Sequence, residues 1–155
     1  MSKSVARVRR ALMEAGLDIE PVEVGPATTS QMAADLLGCE VAQIAKSVML
    51  RDEESGAAVL FVTSGANRVD PDAASTVSGV PLGRADAALV RAQTGFAIGG
   101  VSPIGHLTRP RAFFDPHLMS FAQVWAAAGT PRHLFAIAPA RLLEISGAQR
   151  ADFTV

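Results

Sequence analysis

Two runs in the middle of the chain, AKSVMLR from Ala45 to Arg51 and AAVLFVT from Ala57 to Thr63, flank the residues Asp52-Glu53-Glu54-Ser55-Gly56. The runs are β-rich and the stretch between them is charged and turn-forming, so the pattern predicts two antiparallel strands joined as a hairpin. The rest of the chain must be arranged around it. Further strands are expected at Ile19–Val24, near Phe96–Ile98, and at Arg111–Phe114, Gln123–Ala127 and Leu134–Ile137.

Helices are expected between these strands. Ser4 to Leu17 carries Val5, Val8, Leu12 and Ala15 at helical spacing and ends around Gly16. Thr28-Thr29-Ser30-Gln31 offers a capping box for a helix through Leu37, stopped by Gly38. Asp70-Pro71 supplies an N-cap and a first-turn proline for a helix through about Val77, and Ala85–Gln93 forms another, closed by Gly95. Pro139 starts a last helix, capped by Gly147. Strands and helices intermix without a regular βαβ alternation. That favours an α/β fold of α+β type, a mixed and partly barrel-like sheet with surrounding helices, over a doubly wound one. With 155 residues and no repeat or linker, one domain over residues 1–155 is expected.

Composition excludes several functions. The single cysteine, Cys39, forms no internal disulfide, and no apolar run reaches the ~18 residues of a membrane span. No signal peptide is read before the first charged helix, so a cytoplasmic location without a membrane partner is expected. A formal charge of −1 supplies no general field for a nucleic-acid duplex, so DNA is not an expected partner and any nucleic-acid contact is local. Aromatic residues make up only 5%, without a tyrosine, which argues against a platform for stacking successive bases.

A few residues stand out as candidates for chemistry. Lys46 begins a stripe with Val48 and Leu50 on one strand face. It is either a lysine snorkelling into water or an ammonium at the mouth of a pocket, placed for an anionic oxygen. In TGFAIGGVSPIGH, Gly99 and Gly100 remove side chains where a ligand or another strand comes close, and Pro103 fixes the chain. The amides of Gly100, Val101 and Ser102 could then form a backbone cradle, the plain alternative being a tight bulged connection. Ser102 lacks the Gly-x-Ser-x-Gly elbow, since Pro103 removes the following N–H. His106, His117 and His133 show no metal-ligand spacing, so no metal is expected. His133 follows the permissive stretch Gly129-Thr130-Pro131-Arg132 and reads first as a structural histidine. Arg109 and Arg111, in HLTRPR, are candidate phosphate contacts or a solvated face.

Taken together, CEVAQIAKSVML, SGANRVD, TGFAIGGVSPIGH and FDPHLMSFAQVWAAAGTPRHLFAIAPARLLEISGA resemble the YbaK family, the aminoacyl-tRNA deacylase also called the prolyl-tRNA synthetase editing or associated domain. The resemblance spans roughly Ser4 to Ala148 and keeps the order of the motifs. It implies a small mixed-sheet domain that hydrolyses the ester of a small mischarged amino acid on tRNA, without metal or cofactor. The expected partners are the acceptor end of aminoacyl-tRNA, with tRNA(Pro) as carrier, and prolyl-tRNA synthetase. It implies Lys46 as the electrostatic stabiliser, Gly99 to Pro103 as backbone presented to the aminoacyl end, and Gly129, Thr130 and His133 as further pocket residues. Arg109 and Arg111 would then touch tRNA phosphates. The Trp-Ala-Ala-Ala-Gly-Thr-Pro element looks more like broader trans-editing relatives than the cysteinyl-specific branch, and the amino acid removed stays open. The alternatives are a non-catalytic module binding an amino acid or a tRNA end, and a hydrolase using Ser102 or Cys39.

Overall fold

The computed structural model describes residues 2–155. Its centre is the expected hairpin. Strand β2 (Ile44–Asp52) pairs antiparallel with β3 (Ala58–Ser64), in register from Ala45 opposite Ser64 to Arg51 opposite Ala58. Asp52 closes the turn: its carboxylate accepts the amides of Glu54 and Ser55, and its own N–H donates to the Ala57 carbonyl at 2.8 Å. Every position of β3 is buried. Leu60 and Val62 enter a core with Phe96, Ile104, Phe114 and Phe135, while Val59 and Phe61 pack on the other face with Phe113 and Phe153. A strand buried on both faces must be apolar throughout, and AVLFVTS nearly is.

The other strands extend this pair. They are β1 (Val22–Glu23), β4 (Leu82–Arg84), β5 (Ala112–Phe114), β6 (Val124–Ala127), β7 (His133–Ile137) and β8 (Gln149–Arg150). The order is β1-β7-β6-β2-β3-β5-β8, with β4 also against β2. β6 joins β2 in parallel, β5 joins β3 in parallel, and β6–β7 and β2–β4 are antiparallel, which makes the sheet mixed as expected. The helices are α1 (Lys3–Glu14), α2 (Ser30–Leu37), α3 (Pro71–Ser78), α4 (Ala87–Thr94) and α5 (Pro139–Ser146). None is long and apolar enough to cross a membrane among the described residues.

Several local expectations are corrected. Phe96–Ile98 is no strand. Phe96 is fully buried as an anchor, its N–H bonded to the Thr94 hydroxyl, and a turn follows in which the Gly100 amide donates to the Ala97 carbonyl. The strand expected at Ile19–Val24 shrinks to Val22–Glu23, because Pro21 cannot donate to a ladder. β4 and β8 escape a periodicity reading because three and two residues carry no pattern. The box beginning at Thr28 does not form: Thr29 is the N-cap of α2 and accepts the Met32 amide, while Gln31 turns to Asp35. Helix α4 starts two residues later than expected, because the Asp86 carboxylate caps it through the Leu89 amide.

The C-terminal segment is part of the core. Phe153 is fully buried and meets the Phe61 ring edge-on at 5.0 Å, and its carbonyl accepts the Asp70 amide at the start of α3. Truncating so large a core side chain leaves a cavity as well as losing burial, so Phe153→Ala should lower stability by about 3–5 kcal/mol. Urea unfolding checks this, with the midpoint falling at unchanged slope.

Candidate active site

β3 covers one side of β2 along nearly its whole length. The other side is shared. β6 pairs only at Ile44 and Ala45, and β4 only from Leu50 to Asp52. Between these two contacts the sheet is split, and a cleft of about 680 Å³ opens against β2. Its floor includes Ala45, Lys46, Ser47 and Met49. One wall is the first turn of α2 and the Gly65 turn after β3, and the other is the loop Ile98, Gly99 and Val101 with Thr130 and Pro131 of the β6–β7 connection.

Lys46 is half-buried and donates from Nζ to the Asn67 carbonyl at 2.7 Å. Burial pushes its pKa below the usual lysine value; the Asp115 charge opposes that shift and Arg68 adds to it. Asp115 is itself buried, and its carboxylate accepts the Ser64 amide at 3.1 Å, the Asn67 side-chain amide at 2.9 Å and the His117 amide at 3.0 Å. These bonds fix the turn that carries the Asn67 carbonyl. Neither Asn67 nor Asp115 is among the residues the sequence marks as candidates. The one available signal was Asp115-Pro116, the same N-cap and first-turn proline pair that announces α3.

The glycine loop divides its tasks. Gly99 is exposed at φ +99°, a conformation that favours glycine. Gly100 is buried, and a Cβ there would lie 2.6 Å from Thr130 Cα and 2.8 Å from the Gly129 carbonyl oxygen. Its missing side chain makes room for another loop, not for a ligand. The Gly100 amide is also consumed by the turn to Ala97, so the expected three-amide cradle reduces to Val101 and Ser102. Of these, only Val101 lines the cleft. Ser102 is fully buried, its hydroxyl takes the Ile104 amide, and its carbonyl is 2.7 Å from His106 Nε2. Burial lowers the His106 pKa, which suits a neutral ring donating from Nε2 to hold the loop from behind. Pro103 is buried beside it.

Thr130 lines the cleft, whereas Gly129 and His133 stand behind it. The Thr130 hydroxyl lies 2.6 Å from His133 Nδ1 and accepts the Arg132 amide, and His133 Nε2 is 3.4 Å from Glu23. Arg109 and Arg111 are not brought to the cleft: Arg109 donates to the Ile145 carbonyl and Arg111 lies over the Phe113 ring. Among the described residues no group of three or more His, Cys, Asp or Glu could hold a metal ion. Cys39 lies off the cleft, and burial raises its thiol pKa, which weakens it as a nucleophile. Because a methyl at Gly100 collides with backbone and not with a movable side chain, Gly100→Ala should displace the two loops from each other. Amide chemical shifts of Val101 and Thr130, compared between the two proteins, read that displacement.

Comparison with known proteins identifies relatives of the same fold. A solved structure described as a candidate trans-editing enzyme for prolyl-tRNA synthetase is 44% identical, superposes with a TM-score of 0.93, and covers 100% of this chain and 99% of its own. The hypothetical protein APE2540 superposes with a TM-score of 0.88 at 27% identity, over 96% of this chain and 99% of its own. The uncharacterized protein YwhH of Bacillus subtilis (strain 168) is 31% identical over 129 residues, 83% of this chain and 81% of that protein. The aminoacyl-tRNA editing domain matches residues 24–145, a span that contains every cleft residue named above together with Asn67 and Asp115, and the chain belongs to that family.

Proposed function

We propose that this protein is an aminoacyl-tRNA deacylase that acts in trans, removing a small mischarged amino acid from tRNA, with tRNA(Pro) as carrier and prolyl-tRNA synthetase as the enzyme it corrects. The observation that carries the reading is the half-buried Lys46 ammonium in a cleft walled largely by backbone and small side chains. An aminoacyl ester is already activated, so the site needs position and charge more than a protein nucleophile. Water adds to the ester carbonyl carbon, the bond to the ribose oxygen breaks, and that oxygen leaves with a proton. The free ribose hydroxyl next to the ester is placed to orient the water. Lys46 spends one of its three N–H donors on the Asn67 carbonyl and keeps the others for the oxygen on which negative charge develops. The family and the neighbour described as a candidate trans-editing enzyme for prolyl-tRNA synthetase support the editing role and the choice of tRNA.

Lys46→Ala should therefore lower the single-turnover rate by roughly 10²–10³. Ser102→Ala should retain activity, because the buried hydroxyl touches no part of the cleft. Deacylation of tRNA(Pro) carrying each small amino acid tests the proposal. Wild-type rates with Lys46→Ala would sink the role of the lysine, and a wild-type protein that binds charged tRNA without hydrolysing it would favour a binding module instead.

The pH profile carries a second test. A stabilising ammonium is present below its pKa and lost as pH rises through it, so activity should fall on the alkaline side. The Asp115 charge raises the Lys46 pKa, so Asp115→Asn should move that limb to lower pH. A limb that stays in place would separate Lys46 from the titration.

A further inference from the structure

The register of β2 turns two residues outward between the β6 and β4 pairings, Ser47 and Met49; Met49 adjoins the β4 pairing at Leu50, whereas Ser47 has unpaired positions on both sides. The Ile44 carbonyl accepts the Gly65 amide and the Asp52 amide donates to Ala57, so even-numbered residues of β2 turn toward β3. Odd-numbered residues turn outward. Ala45 meets β6, Arg51 lies opposite Gly83 of β4, and the Glu53 amide continues to the Pro81 carbonyl. Ser47 lies between them, with its N–H and C=O toward the cleft and neither β6 nor β4 opposite. A second observation is independent of register: the Ser47 hydroxyl is shielded from solvent yet has no hydrogen-bond partner among the described residues. A buried polar group left unpaired costs free energy, so such a group beside a cleft marks a place for a ligand's polar atom.

We propose that Ser47 is the aminoacyl recognition residue and that the substrate completes the split sheet as a strand of one residue. The inference rests on the deacylase reading of the cleft and adds the binding geometry. Two residues that face each other across antiparallel strands exchange both N–H···O bonds. The α-ammonium of the substrate thus donates to the Ser47 carbonyl, and the ester carbonyl accepts the Ser47 N–H. That amide becomes a second donor to the oxygen Lys46 stabilises. Cross-strand partners project their side chains to the same face, so the substrate side chain lies beside Ser47 Oγ, with Ala45 and Met49 as its neighbours on that strand. A side chain bearing a hydroxyl satisfies Oγ, whereas a methyl leaves it unpaired. The substrate class is therefore a small hydroxylated amino acid in preference to an apolar one of similar size.

The test uses adenosine carrying serine or alanine through a 3′-amide, which cannot be hydrolysed as an ester, so binding is read separately from catalysis. Wild type should bind the seryl amide more tightly than the alanyl amide by roughly three- to tenfold, the effect of one hydrogen bond. Ser47→Ala should bind the two alike. Replacing the α-amino group of the seryl amide by hydrogen removes the N–H that pairs with the Ser47 carbonyl and should weaken binding to wild type, a measurement that needs no variant to fold. Equal preference in wild type and Ser47→Ala, or full binding of the compound without the amino group, overturns the proposal. Selective binding by a protein that hydrolyses no charged tRNA would leave this recognition standing and remove the deacylase reading instead.

Discussion

The pairing of β2 with β3 is the constraint on which the rest of the structure depends. β3 is buried on both faces, so the chain must supply an apolar layer on each side of it. Helix α1, the Phe96 anchor and strands β6 and β7 supply one. Helix α3, Phe113 of β5 and the C-terminal Phe153 supply the other. With β3 enclosed and its far edge taken by β5, the only outward edge left on the hairpin is that of β2. Two short strands divide it, and neither is long enough to meet the other. The cleft is thus a consequence of strand lengths: a longer β6 or β4 would pair with Ser47 and close it.

The same arrangement explains how a lysine can stand in the sheet. Taking an ion out of water costs several kcal/mol even after relaxation, and removing its partners leaves that cost uncompensated. Lys46 avoids full desolvation by sitting half-exposed at the cleft, and the Asn67 carbonyl meets its head at 2.7 Å. The Asp115 charge acts in the same direction from a position fixed by backbone amides. A carboxylate already held by several N–H groups is poorly placed to swing over and neutralise the lysine in a tight ion pair. The ammonium keeps donors available for a ligand.

Much of the fold is legible in the sequence where local signals are strong. The hairpin is readable because both strands are long and its turn is all polar, and α3 because Asp70-Pro71 fixes its start. Lys46, Gly99 and Val101, each picked out from its own neighbourhood, line the cleft, and so does Thr130, which only the family resemblance named. What the sequence hides is what depends on two distant segments meeting. Ser47 reads as an ordinary strand residue until the ends of β6 and β4 are known. Asn67 acts through its carbonyl, which every residue has, and no pattern of side chains reveals which carbonyl a lysine will find. Gly100 is legible as a close-approach position, but only the fold identifies Thr130 as the group that approaches. Arg109 and Arg111, close to the glycine loop in sequence, are directed away by contacts with Ile145 and Phe113.

These meetings also bear on selectivity. A hydrophobic pocket separates amino acids differing by one methylene only ~10–200-fold, so a second site must discriminate on another basis, and a rigid size limit is one. Size limits fail when walls move. The wall opposite β2 resists movement because it is backbone packed on backbone: Gly100 seats against Gly129 and Thr130, and a Cβ on Gly129 would lie within 2.8 Å of Ser4 in α1. The inner loop is held again from behind by His106, whose ring rests edge-on to the buried Phe96. Side chains can hop between rotamers to admit a larger guest, whereas stacked main-chain segments cannot yield without moving a helix. Placing glycines where loops touch each other therefore fixes this wall of the cleft, and leaves adjustable chemistry to the few polar groups on its floor.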